Sequence, residues 1–211
     1  MASYVSEAVI HRLPGYYRHL RELEAEGITQ ISSQELGARM GQTSSQIRQD
    51  INCFGGFGRQ GYGYRVSELK ERIAEILGLD QEHRMVIIGA GSIGTAVACY
   101  PTFSREKFRT LAMFDISPAR IGQHVQGIPV LDAAGLEAFL RENPVEVAVL
   151  AVPRTAAQQT MDILAACGVP AVWNFAPADL HYDAQRMEVV NVHLSESLQV
   201  LSYKLKHHGE T

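Results

Sequence analysis

Cysteine is sparse in this chain. Cys53, Cys99 and Cys167 lie far apart, are odd in number and form no C-x-x-C pair. That excludes a disulfide framework and a zinc site of ordinary spacing, and it fits a reducing cytosol. An excess of positive charge is missing too. With 19 Lys and Arg against 23 Asp and Glu, the net charge of -4 argues against a protein that coats nucleic acid without regard to sequence. A local basic face still fits inside such a balance. The start, MASYVSEAVIHRLPGYY, lacks a charged segment followed by an apolar run, and no apolar stretch approaches the length needed to span a bilayer. A cytoplasmic protein without membrane or metal partners is the expectation. What remains is an ordinary globular composition over 211 residues, enough for a small domain and a medium one, each with its own core.

The first eighty residues read as helices with one glycine-rich interruption. Tyr16, Leu20 and Leu23 fall at helical spacing in YYRHLRELEAE, and Gly27 stands where a terminating glycine belongs. ISSQELGARMG opens on Ser32 and Glu35 in capping-box spacing, and Gly41 closes it. TSSQIRQDINCF repeats the spacing with Thr43 and Gln46, then places Ile47 and Ile51 on one face. Two short helices in this arrangement form either a helix-turn-helix or a plain helical hairpin. SELKERIAEILGLD follows as an amphipathic helix with Ser67 as its expected N-cap.

From residue 84 the grammar changes. RMVIIG, TLAMFD, VEVAVLAV, PAVWNFA and MEVVNVHL are short apolar runs separated by segments such as LEAFLREN and TAAQQTMDILAACG that suit helices. Buried strands alternating with helices predict a parallel sheet covered on both faces. The expected domains are 1–80, 81–194 and a C-terminal helix over 195–211. In that helix Leu198, Leu201 and Leu205 form a stripe that meets either a second subunit or the protein's own sheet.

Two segments share the pattern G-x-G-x-x-G: GFGRQG at 56–61 and GAGSIG at 89–94. The pattern becomes informative only when it follows a strand, opens a helix and has an acidic residue at the end of the next strand. GAGSIG meets all three conditions, with Asp115 ending TLAMFD. Gly89 would allow the tight turn, Gly91 the approach of backbone to a pyrophosphate, and Gly94 the packing of helix on strand, while Ala90, Ser92 and Ile93 supply the rest of the loop. Asp115 favours NAD over NADP; a Rossmann fold for a methyl donor or coenzyme A is the alternative. GFGRQG follows a helix and precedes YGYRV, so it reads as a hairpin flanked by INCF and YRV, the wing of a winged helix, with Arg59, Gln60 and Tyr62 toward DNA. From 36 to 66 four arginines face one carboxylate, a local sign reversal. On the second helix Thr43, Ser44, Ser45, Gln46, Arg48 and Gln49 are the candidate DNA contacts, with Thr43 and Ser44 suited to capping and phosphate.

Together these segments resemble one family, the Rex redox-sensing transcriptional repressors of bacteria. The resemblance rests on RLPGYYR at 12–18, SSQIRQD at 44–50, FGGFGRQGYGY at 54–64, GAGSIGTAV at 89–97, FD at 114–115, AVP at 151–153, WNFAP at 173–177, NVHLS at 191–195 and a late LSY. It implies an α/β protein: an N-terminal winged helix-turn-helix plus a C-terminal Rossmann doubly wound parallel sheet with a domain-swapped C-terminal helix. It also implies a homodimer on inverted-repeat double-stranded operator DNA, released by NADH and retained with NAD+. The same resemblance places Tyr100, Pro153, Asn174, Ala176 and Leu194 at the nicotinamide end. The residues alone read Tyr100 as a helix-end aromatic in the core, and Trp173 and Phe175 as strand packing. His193 stands where the family commonly has an Asp that pairs with an arginine matching Arg18. Redox control is therefore expected to be blunted, rewired or made pH-sensitive. A dehydrogenase, with His181 or His193 as proton carrier, and a nucleotide-binding adaptor that does not touch DNA are the competing readings.

Overall fold

A computed structural model describes residues 6–55 and 63–208. The chain divides into two compact units, Met1–Gln81 and Glu82–Thr211.

The first unit runs α1 (Glu7–Ile10), α2 (Leu13–Ala25), β1 (Gln30–Ile31), α3 (Ser33–Met40), α4 (Ser44–Asn52), β2 (Tyr64–Arg65) and α5 (Val66–Ile76). Leu13, Tyr16, Leu20 and Leu23 of α2 are buried in one core with Val66, Leu69 and Ile73 of α5. Burying each such side chain is worth about 1.5–3 kcal/mol, which holds two otherwise marginal helices together. The capping box of α3 is complete: Ser32 Oγ accepts from the Glu35 amide at 3.1 Å, and Glu35 Oε2 accepts from the Ser32 amide at 2.9 Å. At α4 only half of that pattern forms. Thr43 Oγ1 accepts from the Gln46 amide at 3.2 Å, but the Gln46 side chain turns elsewhere. A Cβ at Gly37 would lie 2.6 Å from the Gln42 carbonyl oxygen, so the α3–α4 turn sits on α3 as closely as backbone allows. That tight pairing is a helix-turn-helix.

Two local expectations fail here. Ser67 is not the N-cap of α5; the helix starts at Val66, whose amide still donates to Thr29 O at 3.0 Å, so the chain passes from the β2 ladder straight into the helix. Ile51 and Asn52 lie in α4, as the helical spacing predicts, but YRV, expected to flank a hairpin with INCF, pairs instead through Tyr64–Arg65 antiparallel with Gln30–Ile31. The turn of the expected wing, with Arg59, Gln60 and Tyr62, lies outside the described residues.

The second unit runs β3 (His83–Ile88), α6 (Ser92–Ala98), α7 (Pro101–Arg105), β4 (Phe108–Asp115), β5 (His124–Val125), β6 (Ile128–Asp132), α8 (Leu136–Glu142), β7 (Val147–Leu150), α9 (Arg154–Ala166), β8 (Ala171–Asn174), β9 (Glu188–Asn191) and α10 (Leu194–Lys206). The sheet order is β5-β6-β4-β3-β7-β8-β9, and every pair is parallel except β5–β6. Leaving out β5 and numbering the parallel strands by chain order gives the doubly wound Rossmann topology, with its switch point between β3 and β7. Successive residues of β3 serve opposite faces: Val86 and Ile88 join one core, Met85 and Ile87 the other. This explains why RMVIIG reads as a continuous apolar run. No residue of α10 is buried; Leu198, Leu201 and Leu205 are 67%, 50% and 68% exposed, so the stripe does not pack on the chain's own sheet.

Candidate functional site

A cleft of about 560 Å³ opens at the C-terminal ends of β3 and β7, where parallel sheets of this topology expose their loops. Its lining includes Gly89, Gly91, Ser92, Ile93, Asp115 and Pro153. The three loop glycines differ in what surrounds them. Gly89 has φ +100, and a Cβ there would stand 2.3 Å from the Ala151 carbonyl oxygen of the neighbouring strand end. At Gly94 a Cβ would fall 1.8 Å from the Gly89 carbonyl oxygen, so α6 starts against the loop it follows. At Gly91 a Cβ meets nothing within 4 Å, and φ −75 suits any residue. Neither packing nor backbone strain requires glycine at 91; only something entering from outside would.

Asp115 holds this loop. Its Oδ2 accepts from the buried Ala90 amide at 2.8 Å and from Arg120 Nη1 at 3.2 Å, and its Oδ1 accepts from the Ser117 amide at 2.8 Å. Burial is the largest influence and pushes the carboxyl up, but the Ser117 and Ala90 amides and Arg120 together outweigh it, so the group stays below the usual carboxylate range. A carboxylate takes about four donors, which leaves Oδ1 one unused acceptor site on a residue that lines the cleft. Arg120, Ile116, Ser117 and Thr160 line the cleft and were missed from sequence. Arg120 had a signal, since a cation five residues past a strand-end Asp on a turn can fold back onto it.

The residues expected at the nicotinamide end are placed differently from one another. Asn174 is buried: its Oδ1 accepts from the Ala176 amide at 2.9 Å, and its Nδ2 donates to Asn191 Oδ1 at 2.8 Å. Ala176 is buried as well, and its neighbours Phe175 and Pro177 line the cleft instead. Tyr100 is 55% exposed, which overturns its reading as a core aromatic. It lies against Phe103 beside a second cleft lined by Glu82, Lys107 and Arg109. Trp173 packs as the strand reading had it, partly buried and in edge contact with Phe175, whereas Phe175 lies just past the end of β8 and also lines the cleft. Leu194 and His193 are exposed at the start of α10, and Arg18 is exposed on α2 of the first unit. His181 and His193 are not among the residues lining the dinucleotide-type cleft.

On α4 of the first unit, Ser45, Arg48, Gln49 and Asn52 form an exposed stripe at helical spacing, opposite buried Ile47 and Ile51. Asn52 was missed from sequence. Arg48 crosses to α3, donating to Ser33 Oγ at 3.1 Å and to Ser45 Oγ at 3.2 Å. Gln46 instead donates to Asp50, which is 1% exposed. The local positive charge is smaller than it reads, because Arg39 pairs with Glu26 and Arg65 with Glu68, both outside the 36–66 window.

Comparison with known proteins accounts for both units. Residues 4–52 match the family model described as "Putative DNA-binding protein N-terminus", and residues 80–178 match one described as "CoA binding domain". The redox-sensing transcriptional repressor Rex of Clostridium perfringens is 48% identical over 203 residues, 96% of this chain and 95% of its own length. A solved structure of RSP in complex with β-NAD+ and operator DNA superposes with a TM-score of 0.92 at 45% identity, covering 97% of this chain and 94% of that one. RSP in complex with β-NADH gives 0.89 at 42% identity, covering 97% and 96%. A helix-turn-helix unit joined to a Rossmann unit with a glycine-lined cleft defines a transcription regulator built around a nucleotide-binding fold. The chain belongs to the Rex family of redox-sensing transcriptional repressors.

Proposed function

We propose that this chain is a DNA-binding repressor that senses the NADH/NAD+ ratio, with NADH favouring release of operator DNA and derepression of genes for fermentation, respiration and NADH reoxidation. The observation that carries the reading is the end-to-end likeness to a protein solved with NAD+ on operator DNA and, separately, with NADH. The open approach at Gly91 supports it from this chain's own residues. In this reading Gly89, Ala90, Gly91, Ser92, Ile93 and Gly94 cradle the pyrophosphate and Asp115 takes a ribose hydroxyl. Pro153, Asn174 and Ala176, with Tyr100 and the partner-borne counterpart of Leu194, frame the nicotinamide. The chain acts in the cytoplasm as a homodimer joined through α10, whose exposed apolar stripe supports a swapped contact. It is a sensor and not an enzyme, as its curated relatives' names as repressors support.

A ligand moves an equilibrium only through its different affinity for two states, so the decisive measurement is direct. NADH and NAD+ are titrated separately into the protein on an inverted-repeat duplex at one fixed salt concentration. Release by NADH and retention with NAD+ is the expected result; identical behaviour of the two nucleotides would sink the sensor reading.

Two variants probe the outputs. Arg48→Ala removes the exposed cation of the α4 stripe and is expected to weaken operator binding by about 1–3 kcal/mol. A smaller salt slope with all sequences weakened alike marks a phosphate contact, whereas relaxed choice at one base pair marks a base contact; no change in either removes Arg48 from the interface. His193→Asp restores the acidic residue that the family commonly has at this position and is expected to change the NADH concentration needed for release. Release curves at pH 6 and pH 8 that coincide for both proteins would show that position 193 does not participate.

A further inference from the structure

Asp50 sits on α4 with its carboxylate almost wholly out of water, and among the described residues its donors are side chains. Arg12 Nε and Nη2 donate to it at 2.7 and 2.8 Å, the Tyr16 hydroxyl at 2.8 Å, and Gln46 Nε2 at 2.7 Å. Arg12 immediately precedes α2 and Tyr16 lies within it, whereas Gln46 is one turn before Asp50 on α4 itself. A buried ion pair is seldom more stabilising than apolar side chains of the same size, so stability alone does not account for it. What it supplies is geometry. Ile47 and Ile51 pack non-directionally and tolerate small slips of α4, but a guanidinium fork meets a carboxylate at one rotation and one axial height. The same carboxylate accepts from Gln46, so that amide must present its NH2 side inward. One of its donors is thereby withdrawn from the solvent face that carries Ser45, Arg48, Gln49 and Asn52.

We propose that Asp50 is a positioning residue for DNA sequence discrimination: through Arg12 and Tyr16 it fixes the register of α4 on α2, and through Gln46 it fixes which side-chain groups α4 offers to base edges. This rests on the reading of α4 as the DNA-contacting helix. Base-edge hydrogen bonds need side chains placed to a fraction of an ångström, while phosphate contacts tolerate looser placement, so loss of register should degrade specific binding far more than general DNA affinity.

The test uses the full chain. Wild type first enriches a duplex from a random-sequence pool, and that duplex and a scrambled one of equal composition are then titrated at one salt concentration. Asp50→Asn is expected to lower the ratio of selected to scrambled affinity roughly tenfold, the size of one or two misread base pairs, with scrambled affinity changed by less than about twofold. Tyr16→Phe removes one donor at nearly constant volume and is expected to lower the ratio to a lesser degree; it decides the matter if Asp50→Asn does not fold. An unchanged ratio in the folded variants overturns the proposal, as does an equal loss of both affinities. If wild type enriches no duplex at all, the reading of α4 fails, and the proposal falls with it.

Discussion

Gly94→Ala is expected to destabilise the Rossmann unit and abolish dinucleotide binding, whereas Gly91→Ala is expected to abolish binding with the unfolding midpoint nearly unchanged. The difference lies in what each new methyl group meets. At 94 it falls 1.8 Å from the backbone oxygen of Gly89, which no side-chain rotation relieves, so α6 or the loop must move. Overpacking of this kind costs about 1–3 kcal/mol and displaces the amides that begin the helix. At 91 the methyl enters open space in a backbone conformation that alanine adopts freely, so stability stays within about 0.5 kcal/mol of wild type. Only a pyrophosphate lying against that backbone is excluded. Thermal unfolding and a fluorescence titration with NADH measure the two quantities separately. Wild-type NADH affinity in Gly91→Ala would remove the loop from the binding site, whatever happens to Gly94→Ala.

The second large effect is expected in the other unit. Arg12→Met removes the charged partner of a carboxylate that is 1% exposed and leaves Tyr16 and Gln46 as its donors. Orphaning a buried charge costs about 3–5 kcal/mol, and the lower end applies because the Arg12 side chain is itself 29% exposed. The sign of the pH dependence separates this from a packing effect. In wild type, burial pushes Asp50 up but the hydrogen bonds from Arg12, Tyr16 and Gln46 outweigh it, and the carboxyl is held below its usual value. Its stabilisation is then present above the unfolded value near ~3.9 and is lost as pH falls through the lower folded value. Without Arg12 the burial remains while its hydrogen bonds and charge are lost, so the folded value moves up from that of wild type, and the penalty is full at neutral pH and fades as the carboxyl is protonated on acidification. Denaturant unfolding at several pH values should show the gap between wild type and Arg12→Met closing on acidification. A gap that is constant with pH would mean that the lost contact was apolar packing of the arginine stem.

The parts that were legible in the sequence were those set by neighbours along the chain. The Ser32–Glu35 capping box, the terminating glycines and the strand–GAGSIG–helix sequence are local, and they form as their spacing predicts. Strand β6 was not legible. It belongs to a hairpin with β5 that turns through Gln126 and Gly127, both at positive φ, and Gln-Gly is a weaker turn signal than Asn-Gly. Without that turn, GIPVLD looks like a linker, although β6 runs parallel beside β4. Pairings across the chain were equally invisible. Nothing in SSQIRQD announces that its Asp is held by an arginine 38 residues earlier, or that Arg39 pairs with Glu26. A charge count over a sequence window therefore overstated the cation available on the helix-turn-helix.

Asp115 has a consequence for the sensing step itself. Its carboxylate ties the Ala90 amide, the Ser117 amide and Arg120 together, and on the proposed reading this part of the cleft holds the adenosine half of the cofactor. The two oxidation states of the cofactor are identical at that end. Whatever binding free energy Asp115 and the glycine loop contribute is common to both and cancels from their difference, and an affinity shared by both ligands shifts no equilibrium between two protein states. Tightening the adenosine end would raise occupancy without sharpening the response. On the proposed reading the difference of one hydride is sensed away from Asp115, and variants at the cleft residues Pro153, Phe175 and Pro177 are expected to change the ratio of the two affinities while those at Asp115 move both together.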